Sequence, residues 1–327
     1  MDYTRLPKVE LHLHLDCSLS YQVVQKLDPT ITYETYKSSF VGPLKCYDLA
    51  DFITRAQHAI ALMQTAEQLR LVTLDLFDQL KRDGVIYAEI RFAPLEHTRP
   101  GLSPKEVVQA VNDAVEEGIA QSGVEVRVIL CTLRHYNEAQ SMETVQLVKD
   151  FQGTYIVGFD IASDEAGFPI THHIRAFEFA QAHQLRCTAH AGEAKGAESV
   201  WETLQYFHPS RIGHGVRSIE DADLMEFLKK NQIHLEVCPT SNVQTNIYAR
   251  IQDHRIDEIY HSGVSMSVNT DARAISNVTL SSEYQTLEQV FKWKQEHFLK
   301  CNLEAIEHAF VPEALKETLR DKLLKAY

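Results

Sequence analysis

The sequence lacks the features that mark membrane and secreted proteins. It has no run of about 20 apolar residues, which is the length that a membrane-spanning helix needs. Residues 1–7 do not show a basic stretch followed by an apolar one, which is the pattern of a secretory signal. The six cysteines are scattered and form no CxxC pair, which favours reduced thiols in a reducing compartment. We therefore expect a cytoplasmic protein that does not bind a membrane.

Positive charge is also scarce. Lys and Arg number 32 against 45 Asp and Glu, so the formal net charge is −13. Because nucleic-acid-binding surfaces are basic, we expect no nucleic-acid partner. No glycine-rich phosphate loop follows any predicted strand, which argues against a Rossmann or P-loop protein. These absences leave small molecules as the expected partners, and the oligomeric state stays open.

Predicted strands and helices alternate along all 327 residues. Alternation of this kind indicates parallel strands joined by crossover helices. Eight repeats favour a closed (β/α)₈ TIM-type barrel over an open doubly wound sheet. We see no linker or low-complexity segment, so residues 1–327 are predicted to form a single domain. The eight predicted strands cover residues 10–16, 85–92, 124–131, 155–162, 185–191, 212–215, 233–238 and 264–269.

Two segments are expected to extend the minimal barrel. Residues 19–83, between the first and second strands, form a helical insertion that includes an amphipathic run over 59–80. This insertion is long enough to cap a site at the barrel mouth. Additional helices are predicted from the eighth strand to residue 327.

The first predicted strand carries two histidines on one face. Side chains alternate along a strand, so His12 and His14 point the same way, and Leu11 and Leu13 take the opposite face. Two neighbouring imidazoles are costly in a core because every ring nitrogen needs a partner. A metal ion would satisfy both rings.

Other strand ends supply polar side chains that would meet these histidines. In such barrels the active site lies at the carboxyl ends of the strands. His190 ends the fifth strand, His214 the sixth, and Asp271 follows the eighth. Three histidines and a carboxylate suit Zn²⁺ or another divalent first-row metal. We assign as its ligands His12, His14, His190 and Asp271.

The remaining polar groups suggest hydrolytic chemistry. A water would take the open position, where the metal lowers its pKa toward neutrality. His214 would then orient or deprotonate that water. Glu193, three residues after His190, could act as a general acid if burial raises its pKa. Glu193, His214 and Asp271 are the predicted catalytic residues, and the pattern predicts metal-assisted hydrolytic attack on an electrophilic carbon.

Other histidines and one cysteine are interpreted as structural. Cys238 has no partner at a recognisable spacing for nucleophilic catalysis and is predicted to be a small buried hydrophobe. Ten histidines fall on predicted helices, helix edges or loops, and we interpret them as solvated or structural. They are His58, His97, His172, His173, His183, His208, His254, His261, His297 and His308.

Five motifs together resemble the adenosine deaminase family, within the metal-dependent amidohydrolase superfamily. The resemblance covers nearly the whole chain, in order. It implies a (β/α)₈ barrel, one Zn²⁺ per chain and hydrolytic deamination at C6 of a purine. The motifs are HLHLD at 12–16, HAGE at 190–193, RIGHG at 211–215, VCPTSN at 237–242 and NTD at 269–271.

The resemblance also implies roles for individual residues. The four predicted ligands would bind zinc, Glu193 would protonate N1 of the ring, and His214 would assist the water. Asp16 would contact the ribose, and the backbone N–H at residue 163 would face N3 of the purine. His14, Asp16 and Ser163 are therefore the predicted substrate contacts.

The sequence departs from the family pattern at three places. Cys17 and Ser163 stand where glycine is usual, so the Ser163 side chain intrudes unless the backbone accommodates it. Many relatives have a second aspartate after the one equivalent to Asp271, and it holds N7 of the base. This chain has Ala272 and then Arg273 there. A missing buried hydrogen bond costs on the order of 1–3 kcal/mol, so base recognition is expected to differ.

Several functions remain open at this point. The leading hypothesis is deamination of adenosine or deoxyadenosine. The alternative keeps the chemistry but changes the substrate to adenine, an N6-substituted adenine nucleotide or 6-aminodeoxyfutalosine, whose carboxylate would attract Arg273. A two-metal amidohydrolase is disfavoured because the fourth strand end, 160–163, has no lysine. A non-catalytic purine-binding barrel is disfavoured because Glu193 has no structural need.

Overall fold

The computed structural model describes residues 2–99 and 101–327, and these form a barrel of parallel strands surrounded by helices. Within the described residues, eight strands are hydrogen-bonded to their neighbours in the order β1 to β8. The predicted (β/α)₈ fold is therefore confirmed. The strands are β1 Lys8–His14, β2 Val85–Phe92, β3 Glu125–Leu133, β4 Ile156–Ala162, β5 Arg186–Ala191, β6 Arg211–His214, β7 His234–Val237 and β8 Met266–Val268.

Helices follow the strands around the outside of the barrel. Their bounds are α1 Tyr21–Leu27, α2 Tyr33–Ser39, α3 Leu49–Ile53, α4 Ala56–Ala61, α5 Ala66–Arg82, α6 Pro104–Ser122, α7 Glu138–Asp150, α8 Ile174–Ala182, α9 Ala197–Phe207, α10 Ala222–Lys230, α11 Pro239–Gln244, α12 Ile256–Ser262, α13 Leu280–Phe291, α14 Gln295–His308 and α15 Glu313–Ala326. Short 3₁₀ helices cover Tyr3–Arg5, Leu15–Cys17, Pro94–His97, Thr171–His173, Val216–Glu220 and Ile251–Asp253.

Backbone bonds and a side chain complete the barrel between its first and last strands. The His14 N–H donates to the Asp271 carbonyl at 2.7 Å, and the Asp271 N–H donates to the His12 carbonyl at 3.0 Å. The Asn269 side-chain oxygen accepts from the backbone N–H of Leu11 at 2.8 Å. Because β8 has only three residues, these bonds supply pairing that a longer strand would otherwise make.

The predicted insertion after β1 is helical but more broken than expected. The amphipathic run predicted over 59–80 is two helices, because α4 ends at Ala61 and α5 begins at Ala66. The Thr65 side chain caps α5 by accepting from the Gln68 backbone N–H, and Gln68 bonds back to the Thr65 N–H. Such a capping box stabilises a new helix start and so ends the preceding one. The insertion therefore consists of α1 to α5.

The C-terminal helices cover the outer face of the first strands. Val9, Leu11 and Tyr87 form a buried apolar cluster with residues of α14 and α15, including Ile306 and Leu323. The Val9 backbone N–H also donates to the Asn302 side chain at 2.7 Å. The predicted extra C-terminal helices thus bury the outward face of β1, the strand whose inward face carries His12 and His14.

A buried carboxyl supports the short helix α11 at the carboxyl end of the barrel. Glu283, on α13, is fully buried and accepts from the Thr240 N–H at 3.2 Å. Burial raises the pKa of Glu283 from 4.5 to about 8. An acid whose pKa is raised on folding stabilises the fold below its unfolded pKa, and this contribution is lost as the pH rises through its folded pKa.

Glu283→Gln is therefore expected to stabilise the protein more at pH 9 than at pH 5. The neutral amide removes the cost of ionising a buried group, by about 1–3 kcal/mol at the higher pH. Urea denaturation at both pH values measures the difference. Glu226→Gln, at an exposed position of α10, is the control and should show no such pH dependence. Equal effects of Glu283→Gln at both pH values would contradict the buried-acid interpretation.

Candidate metal-dependent active site

The carboxyl ends of the strands bring the predicted site residues together. His14 is the last residue of β1 and His214 the last of β6, and His190 lies in β5. The ring centroids of His190 and His214 lie 5.4 Å apart, so the fifth and sixth strands place their histidines side by side. Asp271 lies three residues beyond β8 and pairs with β1 through a bridge to Leu13. Together with His12 of β1, five side chains that could bind a metal therefore lie at one end of the barrel.

Distances within this cluster are short. His14 Nε2 lies 3.1 Å from His190 Nε2 and 3.4 Å from Asp271 Oδ1. His12 Nε2 lies 3.3 Å from the same Asp271 oxygen. Ligand atoms of His12, His190, His214 and Asp271 all lie within 4.8 Å of one another. The structure thus brings together the four predicted ligands and adds His214 to the group.

The donor atoms fit a divalent metal. Two histidines bind carboxylates through Nδ1: His12 with Glu236 at 3.0 Å and His190 with Asp160 at 3.0 Å. These bonds place the ring proton on Nδ1 and leave an Nε2 lone pair facing the cluster. His12 Nε2 is buried without a hydrogen-bond partner among the described residues. A metal ion would supply the partner that this unpaired, inward-facing nitrogen lacks.

One buried arginine joins the two carboxylates that orient these histidines. Arg91 donates to Asp160 at 2.8 Å and to Glu236 at 2.7 Å, and all three side chains are fully buried. Burial alone would raise the pKa of Asp160, but His190 and Arg91 hold it below its usual range. The sequence reasoning missed this role of Arg91, Asp160 and Glu236. The available signal was the presence of charged residues within three mostly apolar strands.

Glu193 is placed as a buried acid beside the cluster. Burial, followed by the charges of Asp271 and Glu165, raises the pKa of Glu193 well above its usual value. Thr245 donates to Glu193 Oε1 at 3.1 Å, and Oε2 lies 3.5 Å from His214 Nε2. The raised pKa favours the protonated form of the carboxyl, which can give its proton to a ligand in the cavity.

Glu165 holds the loop that carries Glu193. Its carboxylate accepts from the backbone N–H of Gly192 at 2.8 Å, of Glu193 at 3.0 Å and of Lys195 at 2.9 Å. The Ser199 hydroxyl also donates to it. The sequence reasoning assigned no role to Glu165. Nothing in the local pattern shows that its side chain, at the end of the fourth strand, contacts the loop after the fifth strand.

The predicted substrate contacts line one cavity next to the cluster. The cavity, of about 820 Å³ including its open mouth, is lined by Asp16, Cys17 and Ser163 as well as His14 and Glu193. Helices α3 and α4 of the insertion supply much of the apolar wall, with Leu49, Phe52, Ile53, Ala56 and Ile60. The predicted cap therefore forms one side of the cavity.

Asp16 and Ser163 have distinct local environments. Asp16 is buried, and its Oδ2 lies 3.7 Å from Nε2 of His97. His97 was predicted to be solvated or structural, and it is buried. Ser163 has a φ of +84°, which is the left-handed region that glycine adopts without strain. The backbone thus keeps the conformation expected of glycine although the side chain is present.

The two residues after Asp271 differ in position. Ala272 lines the cavity, so a methyl group stands where many relatives place a carboxylate. Arg273 is buried elsewhere and pairs with Glu10 at 2.6 Å and Asp83 at 3.0 Å. The hypothesis that Arg273 attracts a substrate carboxylate is therefore wrong. Its two carboxylate partners neutralise the charge of Arg273, and the pair lies outside the cavity lining.

Comparisons with known proteins agree with this geometry. The family model described as adenosine deaminase matches residues 7–326. The chain is 34% identical to an adenosine deaminase of Clostridium acetobutylicum, over 97% of each protein. It is 32% identical to one of Enterococcus faecalis, over 99% of this chain and 97% of that one. Among solved structures, an adenine deaminase of Arthrobacter aurescens superposes with a TM-score of 0.90 at 27% identity, covering 98% of both chains.

Arg91→Lys is expected to weaken metal binding by about 10–100-fold, because one ammonium group cannot hold both orienting carboxylates in place. Zinc affinity is measured by competition with a chromophoric chelator. The control is Arg273→Lys, which keeps a positive charge beside two other buried carboxylates. This variant should change the zinc affinity much less. Parent-like affinity in a folded Arg91→Lys protein would contradict the orienting role.

Ser163→Gly is expected to stabilise the protein by about 0.5–1 kcal/mol. Relief of left-handed strain, about 1–2 kcal/mol, exceeds the extra chain entropy that glycine loses on folding. Urea denaturation measures the change. The opposite sign is expected for Ser38→Gly, inside helix α2, where glycine only costs entropy. Destabilisation by Ser163→Gly would show that the serine side chain makes a compensating contact.

Proposed function

The chain belongs to the adenosine deaminase family, and on that premise we propose that it hydrolyses adenosine or deoxyadenosine to inosine or deoxyinosine and ammonia. The observation that carries this proposal is the buried Glu193, whose pKa burial raises, beside a cluster of inward-facing metal-ligand atoms in one cavity. The fold does not require this acid and the metal-ligand cluster to lie in the same cavity. Together they supply a nucleophile and a proton, the two requirements of hydrolytic deamination.

We propose that one Zn²⁺ per chain is held by His12, His14, His190 and Asp271. When bound, such an ion lowers the pKa of a coordinated water toward neutrality and so provides a nucleophile. His214 is excluded from the ligand set because its Nδ1 is paired with the Asn242 amide nitrogen at 3.1 Å. An imidazole that accepts at Nδ1 carries its proton on Nε2, so that nitrogen has no lone pair to offer.

The chain's own residues then direct the reaction. Glu193 gives its proton to N1 of the purine as the oxygen of water adds to C6, which makes the ring carbon a better electrophile. His214 orients that oxygen from the side of Glu193. Loss of the exocyclic amine as ammonia restores the ring, so one water is consumed and one ammonia released. Asp271, held by a 2.7 Å bond from Ser241, keeps one oxygen directed at the cluster.

The lining of the cavity favours an uncharged nucleoside. Among the described residues that line it, none is Lys or Arg, whereas Asp16 and Glu96 are acidic. A nucleotide phosphate or the carboxylate of 6-aminodeoxyfutalosine would therefore find no lysine or arginine partner there and would be repelled by the acidic side chains. Asp16 suits a sugar hydroxyl, which donates a hydrogen bond to a carboxylate. Ala272 leaves N7 of the base to water or to another side chain.

Adenine is the second candidate substrate. The support is the 27% identity to a solved adenine deaminase over nearly the full length of both chains. Free adenine would leave the buried Asp16 without a hydroxyl partner, and this costs binding energy. We therefore rank the nucleoside first. A binding barrel without catalysis would not need the raised pKa of Glu193.

The cellular context stays a prediction. Within residues 2–99 and 101–327, no helix is both long enough and apolar enough to cross a membrane. We propose a cytoplasmic enzyme of purine metabolism, with one domain over residues 1–327. Its partner would be a small-molecule purine, with no nucleic acid or membrane.

A panel of 6-aminopurines on zinc-loaded protein tests the proposed substrate. We expect kcat/KM for adenosine or deoxyadenosine to exceed that for adenine, AMP and N6-methyl-AMP by at least about 100-fold, the factor a site gains by pairing its polar groups. Ammonia release and the absorbance change on inosine formation measure turnover. A higher kcat/KM for adenine would reassign the substrate, and no turnover of any member would contradict the proposed reaction.

Glu193→Gln tests the proton donor in the same assay. We expect kcat to fall by about 10²–10⁴-fold, the usual contribution of a general acid, because the amide cannot give up a proton to N1. Zinc content should not change, since Glu193 is not a proposed ligand. The exposed Glu226→Gln variant is the control. Parent-like turnover by Glu193→Gln would remove Glu193 from the mechanism.

A further inference from the structure

A chain of buried hydrogen bonds runs from a backbone amide to His214. The Ile256 N–H donates to His254 Nδ1 at 3.0 Å, and His254 Nε2 lies 3.2 Å from the Asn242 side-chain oxygen. The Asn242 amide nitrogen in turn lies 3.1 Å from His214 Nδ1. His254, Asn242 and His214 are each at most 3% exposed. This series of hydrogen bonds is therefore shielded from water along its whole length.

The backbone amide fixes the direction of every bond in this chain. A backbone N–H can only donate, so His254 Nδ1 accepts, and a neutral His254 carries its proton on Nε2. That proton is donated to the Asn242 oxygen, which leaves the Asn242 nitrogen to donate to His214 Nδ1. The reverse amide orientation would set two donors against each other at His254. Burial lowers the pKa of His254 to about 3, so the ring is neutral at physiological pH.

His214 is therefore held differently from the proposed ligand histidines. His12 and His190 donate from Nδ1 to carboxylates and present lone pairs at Nε2. His214 accepts at Nδ1 and presents an N–H at Nε2, which lies 3.5 Å from Glu193 Oε2. At His12 and His190 the carboxylate partner thus leaves a lone pair for a metal, whereas at His214 the amide partner leaves a hydrogen-bond donor.

We propose that His254 is a positioning residue that, through Asn242, fixes His214 as an Nε2–H donor to the oxygen that adds to the substrate. This rests on the proposed deamination. His254 does not touch the cavity, and its ring is kept in place by Tyr248, whose ring centroid lies 4.4 Å away. It was predicted to be solvated or structural, and its spacing from His214, 40 residues along the chain, gives no hint of the connection.

His254→Phe and His254→Gln separate the donor from the bulk of the ring. Phenylalanine fills the space without an N–H, so the Asn242 amide is free to turn and His214 loses its fixed tautomer. We expect kcat for adenosine to fall about 10–100-fold with little change in KM, as for other orienting partners. Glutamine keeps an N–H donor and should restore most of kcat. His234→Phe controls for loss of a buried imidazole, because the ring nitrogens of His234 pair with the hydroxyls of Ser265 and Ser267, away from the cavity.

Asn242→Asp reverses the direction of the hydrogen bond between residue 242 and His214. A carboxylate accepts from both rings, so it draws the His214 proton to Nδ1 and leaves a lone pair at Nε2. We expect kcat to fall at least as far as in His254→Phe, with zinc content retained. This variant tests the tautomer itself, since it keeps the volume of the asparagine.

Imidazole ¹⁵N NMR of the zinc-loaded protein, with His214 assigned by a His214→Asn spectrum, reports the tautomer without any turnover. We expect Nε2–H in the parent and in His254→Gln, a mixture in His254→Phe and Nδ1–H in Asn242→Asp. An Nδ1–H parent, or an unchanged tautomer and kcat in His254→Phe, overturns the proposal. Absence of turnover in a parent with the expected spectrum would instead contradict the proposed function.

Discussion

The site depends on a single buried arginine shared by two carboxylates. Arg91 lies between Asp160 and Glu236, which in turn hold His190 and His12. Burying three charged groups costs desolvation energy that their attraction only partly returns, so stability alone does not explain the arrangement. Its consequence is orientation, because each histidine presents the same nitrogen to one point. A barrel interior that would otherwise be filled with apolar side chains is therefore polar beneath the cluster.

The same backbone that completes the barrel also places the proposed ligands. Asp271 exchanges hydrogen bonds with His12 and His14 across the junction of the first and last strands. His214 and Asp271 have φ values of +60° and +63°, and Ser163 has one of +84°. Left-handed conformations at non-glycine residues are costly and persist where the surrounding structure imposes them. All three line the cavity at strand ends.

Sequence reasoning located the strand ends but not the partners behind them. Alternating patterns predict which residues share a face, and the HLH spacing and the strand-end histidines follow from that rule. Arg91 and Glu236 are 145 residues apart, and no local pattern indicates their contact. The same limit explains the omission of Glu165, Asn242 and His254. Arg273 was wrongly placed in the cavity because nearness to Asp271 in sequence does not show where a side chain points. The amphipathic run over 59–80 gave no sign of the break at Leu62, because its hydrophobic periodicity continues across it.

Metal stoichiometry tests the central claim that His12, His14, His190 and Asp271, and not His214, bind one ion. Zinc titration into metal-free protein by calorimetry should give one equivalent per chain. His214→Asn should retain that equivalent with similar affinity, because its Nε2 carries a proton, and His190→Asn should lose it. Two equivalents in the parent, or loss of binding in a folded His214→Asn protein, would contradict the account.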